Sequence, residues 1–286
     1  MSALALSSVV SAQNASEPKT ELRLHRLESK IFGNTRNIRV LLPPDYDQPR
    51  NASRRYPVLY LNDGQNLFDK ATSVFNPMEW GVDETVTKLL ADGSMPPMII
   101  VGIDNAGRSG RANEYLPYPD EYLSPPIQNP QGHLYPDFLV DEVMPLVARN
   151  YRIRSDRRST ALGGSSYGAL IALFAYSKYP DVFGRLLIES PSLYVSKAKI
   201  LDDLKKLKSL PDRVYIGVGT NEEGRSDCTA STTGGDAVAD VLRLKKLLQI
   251  AGLKSKSLSV AIESCAVHDE EAWARRFPSA ITFLFK

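Results

Sequence analysis

Histidine and cysteine are nearly absent from this chain, with three and two residues among 286. The scarcity limits any imidazole base to His25, His133 or His268, imidazole being the side chain that ordinarily titrates near neutral pH. Two cysteines, Cys228 and Cys265, make no disulfide framework. At their separation they also lack the partner ligands of a zinc site, so no metal and no organic cofactor is implied. Long apolar runs are missing too: nothing approaches the roughly 18 consecutive apolar residues that cross a bilayer. Nor is there an excess of one charge. The 35 Lys+Arg against 33 Asp+Glu leave a net +2, mixed along the chain, without the basic stripe of a nucleic-acid binder or a membrane-surface protein. Neither nucleic acid nor membrane is expected as a partner.

The N-terminus lacks the basic residues that open a secretory signal, yet Met1 to Ala12 is small and apolar. Val10 and Ala12 have the small-x-small spacing of a cleavage site. Residues 1–20 therefore read as a signal-like or disordered tail. A periplasmic or secreted protein is expected over a cytoplasmic one. Residues 21–286 read as a single domain, since no stretch has the composition of a linker.

What is present is an alternation of strand-like and helix-like segments. Strands are expected at Glu21 to Ser29, Thr35 to Leu42, Pro57 to Asn62, Pro97 to Asn105, Ser159 to Gly164, Arg185 to Glu189, Val214 to Val218 and Leu258 to Glu263. Several are continuous apolar runs, as strands buried on both faces are. Helices are expected at Val82 to Ala91, Tyr135 to Asn150 (despite Pro145), Tyr167 to Tyr179, Asp236 to Ala251 and Glu270 to Phe285. Gly107 to Gln131 reads as a long loop. Alternation of this kind predicts an α/β fold, a mostly parallel sheet of about eight strands with helices on both faces.

Gly164-Ser165-Ser166-Tyr167-Gly168 is a G-x-S-x-G match between an apolar strand and an apolar helix, the context that an α/β-hydrolase fold gives its nucleophile. The glycines let neighbouring backbone approach closely, and the sharp turn lifts the Ser166 hydroxyl above the sheet. Ser165 is out of phase with the glycines. The amide of Tyr167, at the helix start, faces a developing oxyanion. A second donor belongs on the loop Asn62-Asp63-Gly64-Gln65-Asn66, where the amide of Gln65 is the candidate.

In this fold the chain order is serine, acid, histidine. His268 alone among the histidines follows Ser166, just after a strand, where the general base belongs. The acid is less defined by spacing. Glu222, Glu223 and Asp227 share the loop after Val214 to Val218, and Glu189 ends the preceding strand.

Together these residues resemble the esterase family of α/β-hydrolases that includes siderophore-ester hydrolases, feruloyl and acetylxylan esterases, S-formylglutathione hydrolases and mycolyl transferases. The enterochelin-esterase-like branch is most similar. The segments Tyr56 to Asp69, Glu79 to Glu84, Gly163 to Gly168, Gly219 to Glu222, and His268 with Trp273 carry the resemblance. It implies Ser166 as nucleophile, His268 as base and, in its Gly-Thr-x-Glu context, Glu222 as acid. It departs at Tyr167, where the family usually has Met. Trp80 is taken as a substrate-binding residue, with Tyr115, Tyr118, Tyr135 and Trp273 as further pocket candidates. Cys228 and Cys265 flank the acid and the base, and a bridge between them would staple the two loops together. The expected activity is hydrolysis of a small-molecule or carbohydrate-linked carboxylic ester. Acyl transfer by the same residues and a non-catalytic binding module of the same fold are the alternatives.

Overall fold

The computed structural model describes residues 19–74, 77–229 and 231–286. Residues 1–18 of the signal-like tail thus lie outside the described residues. Eight strands form one sheet: β1 (Glu21–Ser29), β2 (Asn34–Leu42), β3 (Val58–Asn62), β4 (Ile99–Ile103), β5 (Thr160–Ser165), β6 (Arg185–Glu189), β7 (Arg213–Gly219) and β8 (Leu258–Glu263). Their order is β1-β2-β4-β3-β5-β6-β7-β8. The β1–β2 and β2–β4 pairs are antiparallel, and every later pair is parallel. The expected mostly parallel sheet of about eight strands is thus present, with antiparallel pairing confined to one edge.

Period-2 alternation sorts the inner strands onto two cores. Val58 and Tyr60 of β3, Ile99 and Val101 of β4, and Val214 and Ile216 of β7 point into one. Leu59, Leu61, Ile100 and Tyr215 point into the other. Both faces are covered, so the inner strands are apolar throughout. The edge strand β1 leaves Leu22 and Leu24 exposed.

Helices α1 (Val82–Ala91) and α8 (Glu270–Phe285) cover the second core. Helices α2 (Gly107–Tyr115), α3 (Tyr135–Asp137), α4 (Met144–Asn150), α5 (Tyr167–Lys178), α6 (Val195–Leu204) and α7 (Gly235–Ile250) lie on the first. Helix α5 buries nine of its twelve residues, which explains why its sequence is apolar all round.

Two segments differ from their sequence pattern. Tyr135 to Asn150 is not one regular helix: a π-helical stretch, Phe138–Val143, separates α3 from α4. Pro145, in the first turn of α4, has no N–H to continue an α-helical ladder and would crowd the carbonyl four residues back, and the wider π turn relieves both. The presumed loop from Gly107 begins as helix α2. Gly107 and Gly110 lower its helical propensity, and of α2 only Glu114 and Tyr115 are buried, so no apolar stripe announces it.

Candidate active site

Ser166 stands between the end of β5 and the start of α5 with φ 57° and ψ −126°, a conformation that L-residues adopt only when the surroundings enforce it. The surroundings are the two flanking glycines. A Cβ on Gly164 would meet the backbone of Gly168 at 2.9 Å, and one on Gly168 would meet Asp63 Oδ2 at 2.8 Å. The Ser166 N–H donates to the carbonyl of Glu189 at 3.0 Å. Its Oγ is 3.3 Å from Ser192 Oγ.

Ser166 and His268 line the same cleft of about 410 Å³, with Asp63, Arg111, Glu270 and Trp273 in its walls. His268 follows β8, and its Nδ1 is 2.6 Å from Glu222 Oε2. Its ring and that of Trp273 form a T-shaped pair, centroids 5.2 Å apart. The other oxygen of Glu222 accepts from Ser190 Oγ at 2.8 Å and from the Gly219 N–H at 2.5 Å. Burial alone would raise this carboxyl, but His268, the Gly219 amide and Ser190 outweigh it and hold Glu222 below the usual carboxylate range. Glu223 and Asp227 are exposed on the same loop. Glu189 pairs instead with Arg276.

The loops carrying Glu222 and His268 are joined in several ways. Cys228 and Cys265 form a disulfide, Cα atoms 5.7 Å apart, across a separation of 37 residues. A closed loop of this length contributes about 4 kcal/mol in the chain-entropy model. The Cys265 N–H also donates to Thr220 Oγ1, and the Asn221 N–H to the Ala266 carbonyl.

Gln65 lies in a single 3₁₀ turn, Gly64–Asn66, after Asp63 at φ 60°. Its side-chain Oε1 accepts from the Asn105 N–H at 3.0 Å. Tyr167 opens α5, and its phenol donates to Asp120 Oδ2 at 2.9 Å.

Trp80 is not in the cleft. It is 3% exposed and packs behind the wall, against Trp273 at 5.8 Å and Phe277 at 6.0 Å. Its large apolar ring is satisfied in the second core, and Trp273 forms the wall in its place. Tyr115, Tyr118 and Tyr135 are likewise buried below the surface.

Three features of the site have no signal in the sequence. Arg111 grips Asp63 through two hydrogen bonds of 2.7 and 2.8 Å, and both side chains are largely buried. Its position on an unrecognised helix concealed it. Ser190 and Ser192 reach Glu222 and Ser166 only through tertiary folding. Among the described residues, no cluster of three or more His, Cys, Asp or Glu is arranged to hold a metal. No helix among them is long and apolar enough to cross a membrane.

A mostly parallel eight-stranded sheet with a serine on the strand-to-helix turn at its centre defines an α/β-hydrolase architecture. The chain belongs to the family described as "Putative esterase", whose model matches residues 29–284, and it is a carboxylic-ester hydrolase. It is 25% identical over 259 residues to the uncharacterized protein YbbA of Bacillus subtilis, covering 90% of this chain and 95% of that one. It is 25% identical over 225 residues to the ferri-bacillibactin esterase BesA of Bacillus subtilis, covering 72% of each. Among solved structures, the BES protein from Bacillus cereus superimposes with a TM-score of 0.68 at 21% identity, covering 98% of this chain and all of that one. That likeness shows the fold.

Proposed function

We propose that the protein cleaves esters through an acyl-enzyme on Ser166, with His268 as general base and Glu222 as the carboxylate that orients it. The 2.6 Å contact between His268 Nδ1 and Glu222 Oε2, beside a serine lining the same cleft, carries this reading. With Nδ1 engaged by Glu222, Nε2 is the nitrogen left to take the Ser166 proton. Ser166 Oγ bonds to the acyl carbon, and the alkoxy bond breaks. The alcohol departs with the proton that His268 returns. Water then repeats the sequence and releases the acid. The amides of Tyr167 and Gln65 hold the negative oxygen of each tetrahedral intermediate.

The natural substrate is a small-molecule ester, a class consistent with the ferri-bacillibactin esterase among the relatives. The cleft walls combine one aromatic face, Trp273, with Asp63, Arg111 and Glu270. Burial raises the Glu270 carboxyl, and the nearby Asp63 and Asp269 add to it. Such walls favour a short or polar acyl group over an alkyl chain, because hydrocarbon laid over the Glu270 carboxyl and the Asp63–Arg111 pair strips their remaining hydration. The test is steady-state hydrolysis of p-nitrophenyl acetate, butyrate and octanoate. Turnover that falls from acetate to octanoate supports the reading. A preference for octanoate contradicts the short-acyl reading, and no turnover of any of the three contradicts the general esterase mechanism. The Cys228–Cys265 bridge, a bond that persists in oxidising compartments, supports an exported protein.

A further inference from the structure

We infer that Ser190 is a positioning residue for the Glu222–His268 pair, with Trp273 setting the direction in which its hydroxyl donates. The inference rests on the triad proposed above. Ser190 follows Glu189, whose carbonyl holds the Ser166 N–H. It therefore stands between the end of β6 that fixes the nucleophile and the loop that carries the acid. Its backbone has φ 40°, a left-handed value that a non-glycine residue keeps only where surrounding contacts enforce it. The Ser190 N–H donates to the Gly217 carbonyl at 2.8 Å, which holds that turn against β7.

A serine hydroxyl has one proton to give and two lone pairs to fill. Trp273 Nε1 lies 3.0 Å from Ser190 Oγ and Arg276 Nη2 lies 3.5 Å from it. An indole N–H and a guanidinium can only donate, so both neighbours occupy lone pairs. The hydroxyl proton is then directed to Glu222 Oε1 at 2.8 Å. Ser190 is 4% exposed, so solvent does not compete for it. Together with the Gly219 amide, this second donor fixes the carboxylate plane and turns Oε2 to His268.

The donors are themselves held. Arg276 is gripped by the fully buried Glu189 and by Glu263. Trp273 lies between Trp80 and the His268 ring. One indole thus touches the base ring directly and the acid through Ser190.

The test is a double-mutant cycle on p-nitrophenyl acetate hydrolysis. Ser190→Ala is expected to lower kcat about tenfold, or about 1.4 kcal/mol, with KM changed less than about twofold. In a Glu222→Gln background the same change is expected to cost less than about twofold, because its effect passes through the carboxylate. Trp273→Phe keeps a ring against His268 and removes the N–H, so it should lower kcat in the same sense and lose its effect in Ser190→Ala. Circular dichroism establishes that each variant is folded, and should Ser190→Ala fail to fold, Trp273→Phe in the Glu222→Gln background makes the same test. Equal losses from Ser190→Ala in both backgrounds, or none in the wild-type background while Glu222→Gln is costly, overturn the inference alone. A silent Glu222→Gln overturns the triad reading and this inference with it.

Discussion

Ser166→Ala should lower kcat for p-nitrophenyl acetate by about 10⁴-fold or more, with KM little changed. In the proposed mechanism the hydroxyl supplies the atom that becomes acylated. Ser192 Oγ is 3.3 Å from Ser166 Oγ, but its residue lies beyond β6 and lacks the strained turn that aims Ser166. Ser165 is buried and belongs to β5, so Ser165→Ala should cost less than about tenfold. His268→Ala should match the loss of Ser166→Ala, and the double variant should be no worse than either, because nucleophile and base act as one unit. On the proposed mechanism, the residual rate reports what the Tyr167 and Gln65 amides contribute alone. Stopped-flow and steady-state assays of the four proteins check this. Additive losses in the double variant would contradict a shared step.

The largest effect on stability is expected at Arg276. Arg276→Leu leaves Glu189 buried without its partner, and removing one member of a buried ion pair costs about 3–5 kcal/mol. The pair is deeply enclosed, with side-chain exposures of 5% and 0%, and little room remains for water to replace the guanidinium. A Cβ at Gly217 would lie 2.2 Å from the Glu189 carboxylate, so the opposite wall is closed as well. The loss should depend on pH. Burial lifts the Glu189 carboxyl to about 7, even against the attraction of Arg276. A folded-state value above the unfolded one means that stability is greatest at low pH and declines as the pH rises toward 7. Without Arg276 the decline should extend to higher pH, so urea unfolding at pH 5 and pH 8 should show a larger deficit at pH 8. Glu189→Leu in the same chain should recover part of it. A deficit below about 1 kcal/mol at pH 8 would contradict this account.

Much of the architecture is legible in the chain. Continuous apolar runs such as Val58–Asn62 and Ile99–Ile103 identify strands covered on both faces, and the turn after β5 is marked by glycines at the spacing its backbone contacts require. Less of the site is legible. Glu222 and Glu223 are adjacent on one loop, and spacing alone does not separate them; the Gly219 amide and Ser190, met only after folding, receive Glu222. Arg111 has no sequence signal because α2 buries too little to show a stripe. Trp80 is ambiguous in the sequence because a tryptophan in a loop has the same signature whether it lines a cleft or packs beneath one. Ser190 has no local pattern at all. Its partners come from the acid loop and α8, and its role depends on which of them donate.

The most direct measurement is mass spectrometry of the protein quenched with acid during turnover of p-nitrophenyl acetate. One acetyl group on the peptide that contains Ser166, absent in Ser166→Ala, is the predicted result. Turnover that persists in Ser166→Ala, or an acetyl group on another residue that forms and decays at the catalytic rate, would contradict it.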